Sequence, residues 1–263
     1  MKKTILITGA SSGFGKDTAI ALAKRGHSVI ATAHTESLAQ KLADLVKDKK
    51  LNIETFKLDI TLEKDRQKIL QYDLDVLINN AATGQSGSLA EIPLDKIKAD
   101  FETNVFSSIA LSQLALQKMI VKDGGTIIFV SSLAGRVTMP FLGSYAMTKF
   151  ALSAGAEAMR TELYKISKNI HVSLIEPGAY HTGFNQKNIA KKYTWMDRKS
   201  YFYKIIDKIK KEEERYFKLT ELKSTRSIVR KFVQACEATK PKLRYTAPWW
   251  QALGVRVLRV FGK

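Results

Sequence analysis

The sequence predicts a three-layer α/β/α domain built on a doubly wound parallel sheet. Three observations lead there. Short apolar strand candidates alternate with longer helical patterns from residue 3 to residue 176. These strands are continuously apolar, as strands covered on both faces are in parallel sheets. The chain of 263 residues also suits one domain with a substantial core, without room for a separate substrate domain of ordinary size.

The strand candidates are 3–8, 28–33, 53–58, 74–79, 125–131 and 170–176, with helices at 14–25, 36–48, 62–71, 96–121 and 144–167. In such sheets ligands sit beyond the C-terminal ends of the strands. The residues that follow each strand are therefore the ones to read for chemistry.

The first strand, Ile5-Leu6-Ile7, leads into Gly9, Gly13 and Gly15 and then a helix with Ala19, Ile20, Leu22 and Ala23 on its apolar face. Strand, glycine turn and helix in that order bring unpaired backbone N–H groups and the positive end of a helix dipole together, which suits a phosphate. Glycine keeps a Cβ from holding the ligand off the backbone, and Ser11 and Ser12 add hydroxyl donors. The spacing Gly-x3-Gly-x-Gly differs from the usual dinucleotide pattern Gly-x-Gly-x-x-Gly. No Gly-Lys-Ser/Thr is present. The plain alternative is a tight βα turn.

After the second strand comes Ala33-His34-Thr35. A carboxylate there would hold a ribose 2′-hydroxyl and repel a 2′-phosphate. None stands at Ala33 or His34, and Glu36 reads as the start of a helix. His34, Thr35 and Ser12 are then free to meet a phosphate, which favours NADP, with NAD as the alternative; His34 as a solvated turn residue is the plain reading. After the third strand, Asp59 suits an adenine amino group or an N-terminal helix cap. After the fourth, Asn79-Asn80-Ala81-Ala82-Thr83-Gly84 leaves room for a flat ligand or forms an ordinary turn.

After the fifth strand, Ser131 and Ser132 precede a loop to Ser144-Tyr145-Ala146-Met147-Thr148-Lys149. Tyr145 and Lys149 stand at i and i+4, on one helix face. A free tyrosine titrates near ~10, and a neighbouring ammonium favours the phenolate. A fall of ~3 units corresponds to ~4 kcal/mol and would let Tyr145 exchange a proton with a substrate oxygen.

The net charge of +18 is uneven. Residues 1–186 hold 22 Lys/Arg against 18 Asp/Glu, a balance of +4; residues 187–263 hold 21 against 7, a balance of +14. A solvated surface, an anionic substrate or an anionic membrane fits this; no nucleic-acid motif does, so no nucleic-acid partner is expected. Cys236 stands alone, which fits a reducing, cytoplasmic setting. The N-terminus runs straight into the first strand, leaving no space for a signal peptide, and no apolar run reaches the ~18 residues of a membrane span. No metal site is expected.

Thr8-Gly9-x3-Gly13-x-Gly15, Asn79-Asn80-Ala81, Asn104, Ser132, Tyr145-x3-Lys149 and Pro177-Gly178-x3-Thr182 occur in this order. The chain thereby resembles the short-chain dehydrogenase/reductase family, strongly over residues 3–183 and loosely beyond. Ala82 departs from the family, which usually has Asn-Asn-Ala-Gly there. The resemblance implies a Rossmann-like fold and an NADP(H)-dependent oxidoreductase that interconverts a carbonyl and an alcohol. By that resemblance Tyr145 is the general acid/base, and Lys149 binds the nicotinamide ribose and lowers the tyrosine pKa. Ser132 stabilises the substrate oxygen, and Asn104 holds a water in a proton relay. Gly9, Ser11, Gly13 and Gly15 hold the pyrophosphate, with Asp59 at the adenine and Asn80 near the ribose. Pro177, Gly178 and Thr182 frame the carboxamide, and Ser12, Phe14, His34, Ile60 and Ala81 complete the cofactor-binding set. Residues 1–183 become the cofactor-binding and catalytic core, 184–220 a substrate lid, and 221–263 a C-terminal helix, strand and amphipathic tail.

In the lid, a helix is expected at 199–217. Phe184, Tyr193, Trp195, Tyr201 and Phe202, with Met139 and Phe141, form an apolar pocket for a lipid- or steroid-like carbonyl or alcohol, or are core residues. Helices 96–121 and 144–167 are apolar on more than one face and point to a homodimer or homotetramer. In the tail, Trp249, Trp250, Leu253, Val257, Val260 and Phe261 share one helix side, with Arg256, Arg259 and Lys263 towards the other. The stripe docks over the substrate pocket or a neighbouring subunit, or lies at a membrane surface as a peripheral contact. The competing functions are a catalytically silent NADP(H)-binding regulator and a basic peripheral-membrane protein on the same fold.

Overall fold

The computed structural model describes residues 1–262 and holds one sheet of seven parallel strands. These are β1 (Thr4–Ile7), β2 (Ser28–Ala33), β3 (Ile53–Lys57), β4 (Val76–Asn79), β5 (Gly125–Val130), β6 (Ile170–Pro177) and β7 (Arg244–Ala247). Their order is β3-β2-β1-β4-β5-β6-β7. The direction of winding reverses between β1 and β4, which places a crevice at the C-terminal ends of those two strands. The six strand candidates all form within two residues of their expected ends.

Successive side chains of a strand face opposite sides, and this divides the core in two. Ile5, Ile7, Val29, Val76 and Ile128 meet α1 (Gly13–Lys24), α2 (Glu36–Asp48) and α9 (Arg226–Glu237) through Leu22, Leu42 and Phe232. Leu6, Ile30, Leu77, Ile127 and Leu174 meet α5 (Ser107–Val121) and α6 (Gly143–Ile166) through Leu111, Met119, Leu152 and Leu163. The sheet is thus covered on both faces, as the fold class requires.

Four elements depart from expectation. The segment 62–71 is a short helix, α3 (Glu63–Gln67), followed by a 3-10 turn, Lys68–Gln71. The helix expected at 96–121 is three pieces: α4 (Leu94–Phe101), a π-helical turn Glu102–Phe106, and α5. A π turn inserts one residue and re-aims the side chains beside it, here Asn104. The lid begins with a helix that was not expected, α7 (Phe184–Lys192), after Gly183 in the left-handed region at φ 81°. The lid helix expected at 199–217 is α8 (Ile206–Thr220). Its first residues instead form side-chain turns, Lys199 N–H to Asp197 at 2.9 Å and Phe202 N–H to Ser200 at 3.1 Å, which compete with helix.

The tail is a helix, α10 (Trp249–Val260), seated on the body through Ala252 and Val255 against Leu133 and Val137. Docking on the chain's own body does not hide the tryptophan stripe: Trp249, Leu253, Val260 and Phe261 face out. Small residues let the helix approach closely, and the large ones are left on the far side. Lys263, assigned to that helix, lies outside the described residues. On α5, α6 and the π turn, Met119 and Leu163 turn inward while Phe106, Met147 and Phe150 stay exposed.

Candidate active site

Thr8 follows β1 and its hydroxyl accepts the N–H groups of Asn80 and Ala81, both at 3.0 Å. The Asn80 amide returns two bonds, to the carbonyls of Thr8 at 2.8 Å and Gly9 at 3.0 Å. The ends of β1 and β4 are therefore clamped together. A Cβ at Gly9 would lie 2.7 Å from Ala81 Cα, and one at Gly15 would lie 2.7 Å from Gly9 O. These two glycines make room for protein backbone. Gly13 opens α1 at φ 55° with Thr182 over it, 3.3 Å from an added Cβ.

Ser12 caps α1 with extended backbone but no side-chain bond, and no acidic residue lies in the first turn. The leading N–H groups of α1 are thus uncapped by side chains, the arrangement that receives a phosphate. Phe14 turns away, edge-on to Tyr180 at 5.3 Å, and Ile60 is buried among Leu58 and Ile69. Asp59 bonds the Thr61 N–H at 3.0 Å and hydroxyl at 2.7 Å. It does not cap α3, whose N-cap is Leu62, so the capping reading is corrected to a local turn. Thr35 does cap α2, accepting the Leu38 N–H at 3.3 Å, while His34 is exposed. Thr35 is therefore engaged, and His34 is left to meet a phosphate at that turn.

Beyond β5, Ser132 caps a short 3-10 turn, accepting the Ala134 N–H at 3.1 Å, and lies 3.4 Å from the Pro177 carbonyl. Tyr145 and Lys149 rise from the first turns of α6. Lys149 is buried, donates to the Val130 carbonyl at 2.8 Å and stands 5.5 Å from the Tyr145 ring centroid. Burial pushes the Tyr145 phenol up to about 12; facing Ser132 pulls it down and Asp100 raises it. Burial brings the Lys149 ammonium down to about 8, against a raising effect of Asp100. The expected lowering of Tyr145 by Lys149 is thus not present in this structure, because desolvation penalises both charged forms.

Asn104 is buried, and both of its amide N–H groups are engaged. Its oxygen accepts the Thr83 N–H at 2.9 Å, and its amide donates to Thr83 O at 2.9 Å and Thr148 Oγ1 at 3.0 Å. The side chain thereby braces the loop after β4 against α6. One turn earlier, Asp100 accepts the Gln85 N–H at 2.9 Å and the Ser144 hydroxyl at 2.8 Å. Asp100 and Thr148 were missed in the sequence; the i, i+4 spacing of Asp100 and Asn104 was the available signal.

Past β6, the Gly178 N–H bonds Ala247 O at 2.8 Å, and the Ala179 N–H bonds Gln251 of α10 at 2.7 Å. Gln251 too was unforeseen, since it lies 72 residues from its partner. Phe184 of α7 stands 5.9 Å from the Tyr145 ring. The expected pocket is divided. Met139, Phe141 and Phe202, with Leu89, Phe101 and Met147, line a cavity of about 940 Å³ whose walls do not include Tyr145. Tyr193 instead donates to Glu213 at 2.8 Å, Trp195 packs over Gly87, and Tyr201 faces solvent. Among the described residues no His, Cys, Asp or Glu cluster could hold a metal, and no helix is long and apolar enough to cross a membrane.

The start of α1, uncapped by side chains, and the cluster of Ser132, Tyr145 and Lys149 both lie beyond the C-terminal ends of the strands, where parallel α/β sheets bind ligands. The chain belongs to the short chain dehydrogenase family, whose model matches residues 3–193, a family of oxidoreductases that use NAD(P). It is 36% identical over 191 residues to the oxidoreductase YusZ of Bacillus subtilis, covering 69% of this chain and 66% of that protein. It is 33% identical over 213 residues to the 3-ketodihydrosphingosine reductase of Bacteroides thetaiotaomicron, covering 80% and 76%. A solved short chain dehydrogenase from Burkholderia phymatum, in complex with NAD, shares the fold with a TM-score of 0.83 at 19% identity, covering 98% and 93%.

Proposed function

We propose that the protein is an NADP(H)-dependent oxidoreductase interconverting a ketone or aldehyde and an alcohol, with Tyr145 as the acid/base. The observation that carries this reading is Tyr145 set between Ser132 and Lys149 at the C-terminal end of β5. When bound, the nicotinamide cofactor supplies or takes the hydride. The uncapped start of α1 with Gly13 would hold its pyrophosphate, exposed His34 its 2′-phosphate, and the Pro177–Ala179 turn with Thr182 its nicotinamide end.

Ser132 donates to the substrate oxygen and stabilises charge there. Tyr145 gives that oxygen a proton in reduction and takes it back in oxidation. Lys149, with Val130 using one of its N–H bonds, keeps others for ribose hydroxyls. Its positive charge favours the phenolate when the ammonium is retained. Asn104, with both amide N–H groups donated and its oxygen accepting from Thr83, keeps the Thr83 loop in register with α6. Residues 184–220 act as the lid, with Phe184 beside the tyrosine. An apolar, lipid- or steroid-like carbonyl fits that ring and the name of the sphingosine-reductase relative. A homodimer or homotetramer through α5 and α6 fits the exposed Phe106, Met147 and Phe150.

The test is Tyr145→Phe. Turnover of ketones with NADPH should fall at least about a thousandfold while NADPH affinity holds. Near-normal kcat would refute the assignment. Absence of turnover in the unaltered protein with bound NADPH would favour the regulator instead.

A further inference from the structure

Helix α10 turns its large apolar side chains to solvent. Only Ala252 and Val255 seat on the body. Gln251 fixes the first turn, accepting from Ala179 at 2.7 Å and donating to Thr220 O at 2.8 Å. On the other side Trp249, Trp250, Leu253, Val257, Val260 and Phe261 are between 42% and 81% exposed. At 100° per residue they cover about a third of the helix circumference without interruption by a charge. Single exposed apolar residues are ordinary, but a continuous row on a firmly held helix marks a contact surface. Leu219, next to Thr220, adds another side chain at 72% exposure.

The charges around the row have one sign. No acidic residue lies between Pro248 and Gly262. Arg256 is exposed at the border of the row, and Arg259, about 60° further round towards the seated side, is exposed as well. Lys218 and Lys223, on either side of Thr220, are exposed as well. The nearby acid, Glu221, is engaged by His181, Asn185 and Gln186.

We propose that α10 is an in-plane anchor for an anionic lipid surface. Its 12 residues are too few to cross a bilayer. Tryptophans with flanking arginines suit the headgroup boundary, where apolar burial and attraction to anionic lipid add. A second copy of this chain would bury the same row, but it would bring together two C-terminal regions that each carry +14 over residues 187–263. Charge complementarity favours the anionic surface over the like-charged copy. The seat on Leu133, adjacent to Ser132, would then hold the mouth of the site near the lipid. That last consequence rests on the proposed activity; the anchoring does not.

The experiment is flotation of the full chain with vesicles of equimolar phosphatidylglycerol and phosphatidylcholine, and with phosphatidylcholine alone. Gel-filtration mass and thermal melting are measured on the same samples. The unaltered protein should float with the anionic vesicles and not with the neutral ones. W249S/W250S should abolish flotation, and R256Q/R259Q should weaken it by about 30-fold, at one surface-charge contribution per arginine. Both variants should melt as the parent does, because the altered side chains are exposed. The proposal is overturned by no binding to anionic vesicles, or by W249S/W250S floating like the parent. A solution dimer that W249S/W250S turns into a monomer, without vesicle binding, would assign the row to a second copy and overturn it too.

Discussion

Gln251 accepts the Ala179 N–H at 2.7 Å, so the last helix of the chain holds the turn that follows β6. The same amide donates to Thr220 O at the end of the lid. One side chain thus joins tail, lid and the turn assigned to the nicotinamide end. Gln251→Ala should raise the KM for NADPH by about fivefold with kcat changed less, the value of one buried hydrogen bond. Steady-state kinetics at saturating carbonyl substrate checks this; an unchanged KM would detach Gln251 from the cofactor.

Asp100 lies beneath the start of α6 and raises both Tyr145 and Lys149. The facing groups are Gln85 N–H, Ser144 hydroxyl, Lys149 and Lys191. Asp100→Asn keeps an acceptor for the loop and removes the negative charge. The phenolate and the neutral amine both become easier to form. The rise of alcohol oxidation with pH, which reports the phenolate, should therefore move to lower pH. A profile that moves up or stays fixed would contradict the electrostatic role.

Asp65 is a stability residue. Burial pushes its carboxyl up, but Lys57 at 2.6 Å, Lys68 at 2.8 Å and the Asp59 N–H outweigh it and bring the value to about 2. A carboxyl held below its unfolded value stabilises the fold above that value, and the contribution is lost as pH falls through the folded one. Asp65→Asn should cost about 2 kcal/mol at pH 7, and the gap to the parent should close as pH falls from about 4 to about 2. Urea unfolding across that range measures it.

His34 is exposed at the end of β2, whereas Ala33 is fully buried. The unaltered protein should bind NADPH more tightly than NADH. His34→Asp places a carboxylate where the 2′-phosphate is expected and should cut that preference at least about tenfold. Fluorescence titration with both cofactors decides it, and equal affinity in the parent would remove the NADP reading.

The sheet was legible because its evidence is local. Ile5-Leu6-Ile7 and the later apolar runs state their own burial on two faces. Tyr145 and Lys149 were legible because four residues on a helix bring two side chains to one face. The clamp of Asn80 on Thr8, the Asp100 and Asn104 braces, and Gln251 on Ala179 were not, since each joins residues 15 to 72 positions apart.

The sequence by itself determined the strand set, the glycine turn after β1 and the Tyr145–Lys149 pair, since each follows from periodicity or spacing within a few residues. Only the tertiary structure decided that Gly9 and Gly15 admit neighbouring backbone, that Asn104 sits in a π turn bonded to Thr83 and Thr148, and which side of α10 faces the body. A helical stripe can be read from one segment, but the side that docks depends on what it meets. The close seat at Leu133 accepts Ala252 and Val255, and so leaves Trp249 and Phe261 in solvent.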